Sequence, residues 1–232
     1  MGSLSAASFA LVVILSGYFA SLSLTPPNVN PAAHQAWGQD SIRLLIQPGP
    51  IMVVRLLVLG IALHHAAVAL MLHTKGAGRA PDDGVNHRLF KWTGFTSFSL
   101  FLMLCVGTPL RLSAFGALGS RFTFGLAQPN ELNTSGIYHY IQHPSYTGFL
   151  LIMIPYLLLF VRWDGSVVYW LPRRVRRSLD GWGFVGYVAG FAVIALGAAL
   201  RVSEEETMLK ESFGHKWETW NRNTKRFIPG VF

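Results

Sequence analysis

The sequence predicts an all-α integral membrane protein with about five transmembrane helices, a C-terminal amphipathic helix at the interface and a short surface hairpin or lid. Three observations carry this expectation. Of 232 residues, 51% are hydrophobic and only 13% charged, against about 25% charged in soluble domains, so lipid is the main solvent. Five apolar runs, at residues 5–24, 50–72, 95–110, 145–161 and 183–200, approach the roughly 20 residues that cross a bilayer core. Turn-rich stretches separate them, among them TPPNVNP, GAGRAPDDG and LAQPNELNTSG. No repeat or separable soluble unit is evident. The chain reads as a single membrane domain over 1–232, with three N-terminal spans in 1–120.

The first run has no Lys or Arg ahead of it and no small-x-small cleavage site before its turn, so it reads as a mature helix rather than a signal sequence. In the second, packing or snorkelling accounts for His64, His65 and His73, and Arg55 is expected to reach back to headgroups. The third holds Cys105, the single cysteine. It excludes an intramolecular disulfide and reads as a small buried hydrophobe. Residues 121–136 alternate locally, RFTF before a turn and ELNTSG after it, and predict a short hairpin or an extended lid. After the fifth run, Leu200, Met208, Leu209, Phe213, Trp217 and Trp220 recur at helical spacing among charged residues, the pattern of an amphipathic helix lying at an interface.

Net charge is +8, yet nucleic acid is not the inferred partner. Eleven of the 19 basic residues lie either from Arg162 through the RRVRR run or from Arg201 onward, where apolar helices meet anionic headgroups. Basic residues do not orient the chain: with five spans each side carries nine of them, so the positive-inside rule ties. Parity says more. It puts the loop before the fourth span on the same side as the tail after the fifth, so these two polar segments can meet.

Both segments carry residues suited to a site. HPSY, residues 143–146, sets an imidazole, a fixed backbone and two hydroxyls just before the fourth apolar run, where spanning alone needs none of them. Arg201 and Glu205 share a helical face. That spacing suits an ordinary surface ion pair, but an arginine at the lipid boundary also offers a planar fork to a carboxylate. His139 and His143 have metal-ligand spacing, but Pro144 disfavours helical geometry at His143 and HExxH is absent, so no metal is inferred.

The run TSGIYHYIQHPSYTGF followed by RVSEEETMLKESFGHKWETW and RFIPGVF resembles the isoprenylcysteine carboxyl methyltransferases, with the motifs falling in residues 122–232. Gln142 stands where members carry a basic residue, and Trp217 and Trp220 where they carry tyrosines. The resemblance implies a protein-S-isoprenylcysteine O-methyltransferase activity: S-adenosyl-L-methionine methylates the C-terminal carboxylate of a prenylated cysteine on processed CaaX proteins such as small GTPases. It implies a cofactor site of Asn130, Glu131, Leu132, Asn133, Tyr138, His143, Pro144, Ser145, Tyr146 and Glu205, with Arg201 on the substrate carboxylate. It also implies an endoplasmic reticulum membrane with the active face towards the cytosol. Two other readings stay open: a membrane methyltransferase for a phospholipid amine or small isoprenoid acid, and a small transporter or scaffold. An amine would leave Arg201 without a carboxylate to hold.

Overall fold

A computed structural model describes residues 2–31, 37–38, 40–75, 85–179 and 181–230; the expected turn GAGRAPDDG at 76–84, with Arg79, lies outside the described residues. Helices α1 (Ser3–Ser23) and α2 (Pro48–Lys75) pack on small residues. A Cβ on Gly17 would collide with that of Ala62, and Ala10, Ala20, Ala66 and Ala69 are buried beside them. Lipid is as apolar as leucine, so close backbone approach supplies the attraction that water-driven burial cannot.

Helix α3 (Gly94–Phe101) begins on a capping box between Thr93 and Thr96. It passes through a wide π turn, Leu102–Gly107, into α4 (Thr108–Leu118). Pro109 explains the widening, since proline has no N–H for the carbonyl four residues back and its ring crowds that carbonyl. The Thr108 N–H and hydroxyl both donate to the Met103 carbonyl, the hydroxyl at 2.8 Å.

Helix α5 (Pro144–Phe160) crosses this region where glycines remove both side chains. A Cβ on Gly148 would lie 2.7 Å from the Arg111 backbone nitrogen and 2.9 Å from the Gly107 carbonyl oxygen. That approach brings Arg111 against the first turn of α5. Phe9, Val13, Leu100, Met103, Ile152 and Phe160 close the core where α1, α3 and α5 converge. Beyond α5 lie the short α6 (Arg173–Leu179) and the 31-residue α7 (Gly183–Phe213), whose Phe184, Val185 and Leu196 face outward.

Among the described residues, four helices are long and apolar enough to cross a membrane: Ser3–Ser23, Pro48–Thr74, Gly94–Arg121 and Gly183–Phe213; Pro144–Phe160 is apolar but shorter. Each expected apolar run therefore lies within a helix, and no strand occurs among the described residues.

Two expectations change and two that offered alternatives are resolved. The tail is not one amphipathic helix, because α7 continues unbroken to Phe213 and Gly214 (φ 51°) then turns the chain into α8 (His215–Asn223). No hairpin forms over 121–136, because its backbone donors go to side chains from the α1–α2 connection: Phe124 and Gly125 donate to Asn30 Oδ1 and Leu126 to Asp40 Oδ2. Of the two expected forms, the segment takes the extended lid. Cys105 is exposed on the outside of the bundle, since the π turn rotates it away from the core. Of packing and snorkelling, His65 packs: it is wholly buried, with Nε2 3.0 Å from the Leu89 carbonyl and Nδ1 3.3 Å from the Ser166 hydroxyl.

Candidate active site

A cavity of about 580 Å³ opens at the end of the bundle where α4 finishes, α5 starts and α7 leaves the apolar layer. This lies within the range of roughly 300–1,000 Å³ typical of small-molecule sites. Every residue implied by the motifs lines it: Asn130, Glu131, Leu132, Asn133, Tyr138, His143, Pro144, Ser145, Tyr146, Arg201 and Glu205. One wall is apolar, with Leu24, Ile42, Ile46, Val193 and Ile194. The other is polar and carries the charges.

Arg201 is 4% exposed, so the surface ion-pair reading does not hold. Its partners are Asp40 Oδ1 at 2.9 Å, Glu204 Oε2 at 3.2 Å and the Phe124 carbonyl. Glu205, expected as its pair, turns instead towards Tyr146 and lies 4.0 Å from His143 Nδ1. Neighbours three and four residues along a helix share a face, and tertiary contacts decide which one pairs. Asp40 uses both carboxylate oxygens, one on Arg201 and one on the backbone of the cover.

Arg111 is a second buried cation in the wall, 7% exposed. Its hydrogen bonds go to neutral oxygens, from Nε to the Ser23 carbonyl and from Nη1 to the Ser145 carbonyl and hydroxyl. The rings of Phe115, Phe124 and Phe149 surround its guanidinium at 4.8–5.4 Å. A buried cation held by neutral oxygens and rings is costly, and the Glu205 carboxylate is an acidic group that acts on it.

The HPSY turn is held from the C-terminal side. Gln142 and His143 donate their N–H groups to the carbonyls of Lys225 and Arg226 at 2.8 and 2.9 Å, and the Gln142 amide donates to the carbonyls of Asn221 and Thr224. Gln142 is thus a buried clamp. Trp217 is buried, and Trp220 donates its indole N–H to the Tyr138 carbonyl at 3.0 Å. Burial first, and then the Glu205 carboxylate, push the Tyr138 phenol above its ordinary range, so the ring stays neutral. In the cover, Arg121 pairs with Glu131 at 2.6 Å, and the Asn133 amide donates to the Ala117 carbonyl at 3.0 Å.

Sequence reasoning missed Arg111, Asp40, Glu204, Glu206 and Arg226. Two left signals: Arg111 is a lone arginine in an apolar helix, and Asp40 is the sole acidic residue before Asp82.

Fold and site define a helical membrane protein with a ligand-sized pocket at one end of its bundle, part charged and part apolar. Residues 99–172 match the model of the isoprenylcysteine carboxyl methyltransferase (ICMT) family. The chain is also 28% identical over 130 residues to a protein-S-isoprenylcysteine O-methyltransferase of Schizosaccharomyces pombe, a match covering 54% of this chain and 46% of that relative. The match thus spans about half the length of the relative. No solved structure matches. Family model and relative together support membership of the ICMT family, the resemblance carried by the motifs.

Proposed function

We propose that the protein uses S-adenosyl-L-methionine to methylate the C-terminal carboxylate of prenylated cysteine on processed CaaX proteins, small GTPases among them, at the cytosolic face of the endoplasmic reticulum. The observation that carries this reading is one cavity with two buried arginines against an apolar wall. A carboxylate on a lipid tail matches both halves. A phospholipid amine would put a cation beside Arg111 and Arg201. A transporter would place polar groups along the span centres, whereas these cluster at one end of the bundle.

The residues present fit the methyl donor. Glu205 offers a carboxylate for an ammonium group, Tyr138 and Tyr146 offer rings for an aromatic base, and His143 Nδ1 is buried without a hydrogen-bond partner. When bound, the donor supplies an electrophilic methyl on sulfur. A carboxylate is already ionised at neutral pH, so no general base is required. The chain's task is alignment and exclusion of water, which together supply about 7–11 kcal/mol in well-oriented reactions. Arg201, locked by Asp40 and Glu204, presents a fixed guanidinium edge, and Arg111 adds a second anion partner. The apolar wall keeps the prenyl tail out of water, and residues 120–133 cover the pocket.

The test is direct. Purified protein in lipid nanodiscs, given labelled S-adenosylmethionine and farnesylcysteine, is expected to form a base-labile methyl ester. Methylation of phosphatidylethanolamine without ester formation would overturn the carboxylate reading, and no transfer to any of these acceptors would overturn the enzyme reading.

A further inference from the structure

We infer that Glu206 and Arg226 are positioning residues that hold the His143 ring in one tautomer, its Nδ1 lone pair presented to the cavity as acceptor for the ammonium group of the methyl donor; the ligand half rests on the methyltransferase reading above. His143 Nε2 lies 3.1 Å from Glu206 Oε1. An ionised carboxylate only accepts, so Nε2 carries the hydrogen and, in the neutral ring, Nδ1 carries the lone pair. The other Glu206 oxygen receives Arg226 Nη2 at 2.7 Å. Arg226 in turn belongs to the segment that holds the HPSY backbone, with His143 N–H on the Arg226 carbonyl at 2.9 Å and the Thr147 hydroxyl on the Phe227 carbonyl at 3.0 Å. The Phe227 ring packs 5.8 Å from the imidazole. Tail, α7 and α5 therefore fix both the plane and the tautomer of the ring.

The consequence is a buried acceptor with nothing to accept. His143 is 3% exposed and lines the cavity, and its Nδ1 has no hydrogen-bond partner among the described residues. A buried polar atom left unpaired is costly, and in a pocket it marks where a ligand donor belongs. The second acceptor, Glu205 Oε2, is 4.0 Å away. One ammonium group, with three donors, can bridge the two. The charged and titratable groups around the ring are Glu205 and Glu206 of α7, Arg226 of the tail and Tyr146 in α5, with Arg111 of α4 behind Tyr146 and Glu205. A proton on Nδ1 would remove the lone pair and set like charges together.

Two readouts test this on the full chain in nanodiscs. In the first, protein labelled with ¹⁵N-histidine, the His143 signal assigned by His143→Gln, is expected to show Nδ1 unprotonated and Nε2 protonated at pH 8. In Glu206→Gln, whose amide can also donate to Nε2, the opposite tautomer should become populated. In the second, S-adenosylhomocysteine is titrated calorimetrically at pH 8. Glu206→Gln should weaken affinity about tenfold, Arg226→Ala about threefold and Glu206→Asp least, with farnesylcysteine KM unchanged within about twofold. A protonated Nδ1 in the unmodified protein at pH 8, or an unchanged tautomer and affinity in Glu206→Gln, overturns the inference. If the unmodified protein keeps the Nε2–H tautomer but binds no S-adenosylhomocysteine, the methyl-donor reading falls and takes the ammonium assignment with it.

Discussion

Arg201 and Glu205 stand one helical turn apart and serve different neighbours, and this makes their roles separable. Arg201 is held by Asp40 and Glu204 while Glu205 faces Tyr146 and His143. Replacing Arg201 with Lys keeps the charge but removes the planar fork. Acceptor-dependent turnover is expected to fall at least tenfold, with S-adenosylmethionine affinity near normal. Glu205→Gln should do the reverse, losing about 1.5–3 kcal/mol of donor binding with the charge-assisted contact. Acceptor kinetics and donor titration on each variant distinguish these outcomes, and full activity in both Arg201→Lys and Arg201→Ala would remove the substrate role of Arg201. Cys105, exposed on the outer face of the bundle, has no part in direct transfer. Cys105→Ser should keep activity per folded molecule within about twofold, since substitutions away from buried features shift stability by only about ±0.5 kcal/mol.

Among the elements, the crossing of α4 and α5 positions the charges. Gly148 lets the two backbones meet, and the meeting carries Arg111 onto Ser145. A methyl group at 148 must push that backbone away, so Gly148→Ala is expected to cost about 1–3 kcal/mol as an overpacked contact and to cut turnover more than Gly116→Ala, where open space receives the methyl. Thermal unfolding and specific activity of the two variants make the comparison. At the opposite end, Arg162 grips Asp164 with two hydrogen bonds of 2.7 Å while Asn86 binds the same carboxylate. Burial pushes the Asp164 carboxyl up, but the Arg162 and Asn86 bonds outweigh it and hold it below its ordinary value. Its contribution to stability is therefore complete above the unfolded carboxyl range, near about pH 4, and is lost as pH falls through the lower folded value. Asp164→Asn should lower the melting temperature at pH 7 and narrow its gap to the parent as pH drops towards 3.

For the molecule as a whole, the proposed orientation sets the cavity end in the cytosol and α6 with its arginines on the lumenal side. Asn133-Thr-Ser is the only glycosylation acceptor sequence in the chain, and it belongs to the cavity wall. Expressed in a eukaryotic membrane, the protein should carry no glycan there, whereas a sequon engineered beside Gly181 should be modified. Glycan on Asn133 would reverse the topology. Helix positions were readable from the chain because apolar runs of bilayer length have few other solutions in lipid. HPSY and the RVSEEE segment were readable as site components because they interrupt or leave those runs with groups that spanning does not need. Pairings within the site were not. Arg201 had Glu204 and Glu205 equally available on its helix, and it took Glu204 together with Asp40 from a connection 161 residues away; the 121–136 segment alternated like a hairpin, yet its donors found Asn30 and Asp40. Local periodicity reports which face a residue occupies and how apolar that face must be. The counter-charge a buried arginine meets, and the lone pair a clamped histidine turns into the cavity, depend on groups brought together across long stretches of chain, and those meetings are set by where helices can approach, at Gly17, Gly107 and Gly148.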